Sequence, residues 1–106
     1  MSNDRNSLEI TKRKKARGAM LGLLAESYPT GIASGVMERL LAEAGISQAH
    51  ELPRLVEYLK DKKYIIVSVP EEPDVRPLPP NTLLELSAHG VDLLEGSIPD
   101  DPGVDF

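Results

Sequence analysis

Between roughly Leu8 and Ser27, apolar residues recur at three- and four-residue spacings. Ala16, Ala19, Met20, Leu23 and Leu24 form a stripe on one face, which predicts an amphipathic helix. Gly18 and Gly22 each weaken that helix by about 1 kcal/mol relative to alanine, while leaving room for another helix to come close. Pro29 and Gly31 end it. A second helix is predicted over Ile32–Ala44, with Ile32, Val36 and Leu40 in one line and Ala33, Met37, Leu41 and Ala44 beside it. Gly45 stands where a left-handed residue closes a helix. Only Gly45, Ile46 and Ser47 precede the next periodic segment, the short connection of a helix-turn-helix. The third helix spans about Gln48–Lys62 and turns Leu52, Leu55, Val56 and Leu59 inward. Pro53 places its regular register near His50, with an irregular lead-in from Ser47, because proline is harmless only where the N–H has no helical acceptor.

The period then changes. Tyr64–Val69 is rich in β-branched residues and predicts a strand. Pro70, Pro73, Pro77, Pro79 and Pro80 prevent its continuation, and Thr82–Leu86 predicts the returning strand. The two make a ribbon with a long tip, which must lay its apolar face on the helices because a lone ribbon is marginal in water. Ser87 caps a short closing helix, Ala88–Glu95, with Val91 and Leu94 inward, and Gly96 ends it. The organisation predicted is a flexible stretch over 1–7, a folded domain over 8–96 and an extended acidic tail over 97–106, anchored only by Ile98 and Phe106.

At 106 residues and 41% apolar composition, the chain supports one small core. The absence of cysteine excludes disulfides, iron–sulfur centres and thiol chemistry. No apolar run approaches the length a membrane helix needs, and Met1–Asn6 does not lead into a signal peptide, so a cytoplasmic protein without membrane partners is expected. The formal charge of −5 hides a gradient. Residues 1–25 carry six bases against two acids, while from Pro70 onward nine acids face a single base, Arg76. Such asymmetry points to phosphate or an acidic protein surface for the basic front. The acidic end could equally fold back over it, or over a second copy.

The segment LPRLVEYLKDKKY, Leu52–Tyr64, runs into IIVSV, and later LLELSAHGVDLLEG carries Ser87, Gly90, Leu93 and Leu94 in a Ser-x-x-Gly-x-x-Leu-Leu pattern. With the order helix, helix, tight turn, helix, strand, proline-rich loop, strand, helix, these residues resemble a winged helix-turn-helix domain over Ser7 to Gly96. That resemblance implies a mainly α fold with a two-stranded β-wing. The ending LLEGSIPDDPGVDF is similar to that of small proteins of Mu-like phages and prophages. Membership there implies a phage or prophage origin and leaves biochemical activity open.

If helix three lies in a major groove of double-stranded DNA, Gln48, His50, Arg54 and Tyr58 approach base edges or phosphates. Arg54 suits guanine, whose O6 and N7 its fork can bond together. Lys60, Lys62 and Lys63 suit backbone phosphate or the helix C-terminus, and Arg76 at the loop tip suits a minor groove or phosphate. Lys12, Arg13, Lys14, Lys15 and Arg17 form a secondary basic patch. Each has a plainer role: Arg54 pairing with Glu51 or Glu57, and the basic run as a solvated face. Glu51, Glu57 and Asp61 on the same helix, and Glu71, Glu72 and Asp74 on the wing, oppose phosphate. The rival reading is a winged-helix protein-interaction or phage-assembly module that contacts a phage or host protein without binding DNA. A homodimer through the Leu8–Leu24 helix and the Val91–Leu94 region is expected, since half-sites favour symmetry. No catalytic residue, metal ligand set or cofactor site is read. His50 and His89 sit in no zinc array, and no nucleophile elbow or phosphate-binding loop occurs, which argues against an enzyme.

Overall fold

A computed structural model describes residues 4–46, 49–71 and 78–106. It opens with α1 (Asp4–Ser27), which starts before the expected Leu8 and takes in part of the stretch expected to fray. Its buried residues are Ala16, Met20, Leu21 and Leu24, with Ala19 and Leu23 half-buried. Leu21 joins the expected stripe because the rest of the domain wraps more than one face of this helix.

Strand β1 (Ile32–Ala33) follows, then α2 (Ser34–Glu43). The sequence expectation of an unbroken helix over Ile32–Ala44 is therefore corrected at its start. Ile32 and Ala33 pair with Leu84 and Leu83 instead of coiling. The helix then begins in its own phase, burying Ser34, Met37 and Leu41 and leaving Val36 and Leu40 exposed. No side chain caps α2. Its first N–H groups are satisfied by the turn that enters the last strand: Ser34 N and Oγ donate to the Thr82 and Pro79 carbonyls at 2.7 and 2.6 Å, and Gly35 N donates to Pro80 O at 2.8 Å. Prolines lack a donor but keep a carbonyl, so this proline-rich stretch serves as an external cap. The C-terminus of α2 closes as expected, with Gly45 left-handed at φ 69° and Ile46 N donating to Leu41 O at 2.9 Å.

The third helix, expected over about Gln48–Lys62, is shorter: a 3₁₀ turn (Ala49–Glu51) leads into α3 (Leu52–Asp61), with Pro53 in the first turn. Leu52, Leu55, Val56 and Leu59 are buried, as their spacing predicts. Lys63 takes the left-handed position that ends α3, φ 67°, and Tyr64 N reaches back to Leu59 O at 3.0 Å. Strands β2 (Ile65–Ser68) and β3 (Leu83–Leu86) pair antiparallel, with Ile66 opposite Glu85 and Ser68 opposite Leu83. With β1 they form a three-stranded antiparallel sheet in the order β1-β3-β2, where two strands were expected. The extra strand is two residues long, below what periodicity can register. Helix α4 (Ala88–Glu95) has the expected ends: Ser87 Oγ accepts from Gly90 N at 3.0 Å, and Gly96 is left-handed. The chain is thus a small α/β domain with four α-helices around one core among the described residues.

The largest departure from expectation is the segment 97–106. In place of an extended tail it lies across α1 and α3, with Val104 and Asp101 both 8% exposed. Ile98 is half-buried against the core, but Phe106, expected to be an anchor, is 64% exposed. Asp105 N donates to Lys14 O at 3.0 Å, a second bond to a helical carbonyl. Gly18 makes that approach feasible, since a Cβ there would overlap the Asp105 carbonyl. The close neighbour for which glycine leaves room is therefore this segment and not another helix. Gly22, one turn on, has open space around it.

These two glycines separate cleanly by mutation. Gly22→Ala is expected to stabilise the domain by about 1 kcal/mol through helix propensity alone. Gly18→Ala offers the same propensity gain but forces the last residues away, so its net effect in denaturant unfolding is expected to be destabilising.

Candidate functional site

The 3₁₀ turn presents His50 to solvent, and α3 presents Arg54, Glu57, Lys60 and Asp61. At its start it meets α1 across a cleft of about 290 Å³ lined by Glu9, Arg13, His50, Glu51, Arg54 and Leu55. Arg13 from the secondary basic patch and Arg54 from the expected recognition helix thus share one opening, accompanied by two carboxylates. The remaining bases divide. Lys12, Lys15 and Lys63 are exposed, and Lys14 is half-buried beside the C-terminal segment. Gln48 and Arg76 lie outside the described residues.

Two expected contact residues have other partners. Tyr58, expected to face DNA, is half-buried, and its hydroxyl donates to Asp101 Oδ1 and Oδ2 at 3.1 and 3.3 Å. Arg17, expected in the free basic patch, lies with its Cζ 3.8 Å from the centre of the Tyr58 ring and donates from Nη1 to Gly103 O at 3.0 Å. Stacking on an aromatic face suits a planar guanidinium. The reason for both corrections is the same: helical periodicity places a residue on a face but does not say that a segment 43 or 86 residues later covers that face. Lys62 is between these cases, with Nζ 4.0 Å from Asp101 Oδ2 and its side chain half exposed.

Asp101, Tyr64, Gly103 and Gly18 were not singled out as a set by their sequence positions. Asp101 is the centre. It accepts from the Tyr64 hydroxyl at 2.8 Å and from Gly103 N at 2.7 Å, in addition to Tyr58. Val104 N then donates to Asp101 O at 3.0 Å, closing a turn through Pro102 and Gly103. The Asp-Pro-Gly triplet was the available signal, since an aspartate bonding the N–H two residues on is a recurrent turn. Tyr64 also stacks on the exposed His89, with ring centres 5.3 Å apart.

The electrostatics follow from this burial. Burial alone would raise the Asp101 carboxyl, but the Gly103 N–H, the Tyr64 and Tyr58 hydroxyls and the Lys62 charge outweigh it and hold it below 3.8. Burial, then the bond to Asp101, pushes Tyr64 up to about 12 and raises Tyr58 in the same direction. Burial lowers the Arg17 guanidinium, against the opposing pull of Tyr58 and Asp101. Chemically the cluster is a fully engaged carboxylate, a clamp and not a proton carrier. Among the described residues, no three histidine, aspartate or glutamate side chains converge as metal ligands would, and no helix is long and apolar enough to cross a membrane.

The surface expected to mediate dimerisation is largely used within the chain. Met20, Leu21, Leu24 and Leu93 are buried in its own core. Leu8 and Ile10 of that helix are exposed, and a cleft of about 180 Å³ opens among Ala25, Tyr28, Leu86, Val91, Leu94 and Glu95. Comparison with protein-family models, curated proteins and solved structures finds no match to this chain.

The clamp has a pH signature on both sides. Because Asp101 is depressed in the folded state, its stabilisation is present above its unfolded value of 3.8 and is lost as pH falls through the folded value. Because Tyr64 is raised, its share is present below 10.0 and is lost as pH rises toward about 12. Asp101→Asn is expected to flatten the acid limb of stability. In a phenolate absorbance titration, the same variant should let Tyr58 and Tyr64 ionise at lower pH.

Proposed function

We propose that this chain is a winged helix-turn-helix protein of phage or prophage origin that binds double-stranded DNA through the start of α3. The reading rests on the element order α1-β1-α2-α3-β2-β3, with sheet order β1-β3-β2, which leaves Arg54 exposed on a helix whose opposite face is in the core. In this arrangement the N-terminal part of α3 enters a major groove, with Arg54 bonding a guanine edge. Lys60 and Arg13 contact flanking phosphates. The chain works by positioning. A two-fold dimer would set the spacing of two half-sites.

A second reading is favoured by the acids. Glu51, Glu57 and Asp61 stand beside Arg54 and Lys60, and the exposed Val36 and Leu40 offer an apolar strip one helical turn apart on α2. An interaction or assembly module would use that strip and the mixed charges without nucleic acid.

Fluorescence anisotropy with genomic DNA fragments across a salt series separates the two. The parent protein is expected to bind at about 50 mM salt, with log affinity falling linearly in log salt. Arg54→Ala combined with Lys60→Ala is expected to stay folded and to lose binding by roughly tenfold or more, each base contact being worth about 1–3 kcal/mol. Absence of binding by the parent at that salt would leave the interaction module.

A further inference from the structure

We infer that residues 97–106 act as a built-in competitor for the DNA surface, an acidic strap that must lift before Arg17 and Lys62 can meet phosphate. This deepens the DNA-binding reading and rests on it. The observation that carries it is which residues the strap occupies. Arg54, Tyr58 and Lys62 form one line along α3 at four-residue spacing. Only Arg54 is free of the strap; Tyr58 bonds Asp101 and Lys62 faces it at 4.0 Å. On α1 the strap takes Arg17 through Gly103 O and the Lys14 carbonyl through Asp105 N. Two cations of the positive face are thus held by the strap. The exposed Asp105 is carried to α1 beside Lys14, where it repels a polyanion.

The strap is also built to come away as a unit. It follows Gly96, which is left-handed, and its buried contents are confined to Asp101 and Val104, with Ile98 half-buried. The buried leucines of α1, α3 and the sheet all come from other segments, and the strap adds only Val104 and Ile98 to their cluster. Its seat on α1 depends on a missing Cβ at Gly18. A duplex that engages Arg54 first would place phosphates beside Arg17 and Lys62, and these could replace Gly103 O and the Asp101 carboxylate as partners.

Two variants open the strap by different means. Gly18→Ala evicts Asp105 without altering any charge, and Asp101→Ala removes the anchor. Circular dichroism reports that each is folded, and loss of amide-exchange protection at Val104 and Asp105 reports that the strap is off. Anisotropy with the same DNA fragments is then read from about 50 to 200 mM salt. Strap-open variants are expected to bind at least roughly tenfold more tightly than the parent at the lower salt. Their salt slope should be steeper by about 2, one for each of Arg17 and Lys62 regained. If the parent binds and the strap-open variants bind no more tightly, the competitor is overturned while the DNA reading stands. If neither the parent nor an open variant binds at low salt, both are overturned.

Discussion

A single buried carboxylate seats the C-terminal segment on the middle of this chain. Asp101 accepts from two tyrosine hydroxyls and one backbone N–H, so the lone pairs that burial strips of water are given back as hydrogen bonds. Each donor offsets part of the penalty that burial places on the charged form. Tyr58 comes from α3 and Tyr64 from the residue before β2, so the carboxylate ties the third helix to the start of the sheet as well as to the strap. Arg17 then closes over Tyr58 from α1. Each member is held by the others: the ring positions the guanidinium, the guanidinium holds the Gly103 carbonyl, and the turn at Gly103 aims the carboxylate.

That clamp changes how the charge gradient acts. A basic front and an acidic end can attract a polyanion, a second copy or each other, and here they meet within one chain at Lys62 and Asp101 and around Lys14 and Arg17. The surface left for a partner is consequently smaller than the count of bases suggests. It is concentrated where α1 and α3 flank the cleft with Arg13 and Arg54. Charge in that cleft is balanced by Glu9 and Glu51, so recognition there would depend on geometry more than on net attraction.

The proline-rich return plays a comparable part on the other side of the domain. Carbonyls of Pro79, Pro80 and Thr82 satisfy the first turn of α2, which has no side-chain cap of its own. The same turn delivers β3 to its place between β1 and β2. The connection that interrupts the strands therefore also fixes the second helix relative to the sheet. Thr82 Oγ1 is buried there without a partner, a local penalty that the surrounding bonds sustain.

Local pattern was sufficient for the buried face of α3 and for the two ends of α4, though Leu93 and not Val91 or Leu94 is the buried side chain there. Leucines at helical spacing, a proline confined to the first turn, Ser87 as cap and Gly96 as stop all act over fewer than about eight residues, where propensity and periodicity operate. The left-handed stop at Gly45 and the exposure of Arg54 were legible for the same reason. Three features were decided only in three dimensions. Ile32 and Ala33 became a strand because β3 lay alongside to pair with them, a partner fifty residues away. The phase of α2 followed from that pairing and left Val36 and Leu40 outside. Residues 97–106 became a strap because Tyr58, Tyr64, Arg17 and a bare Gly18 offered donors and space from three separate segments. Each of these depends on groups far apart in sequence, whose joint position no window along the chain contains.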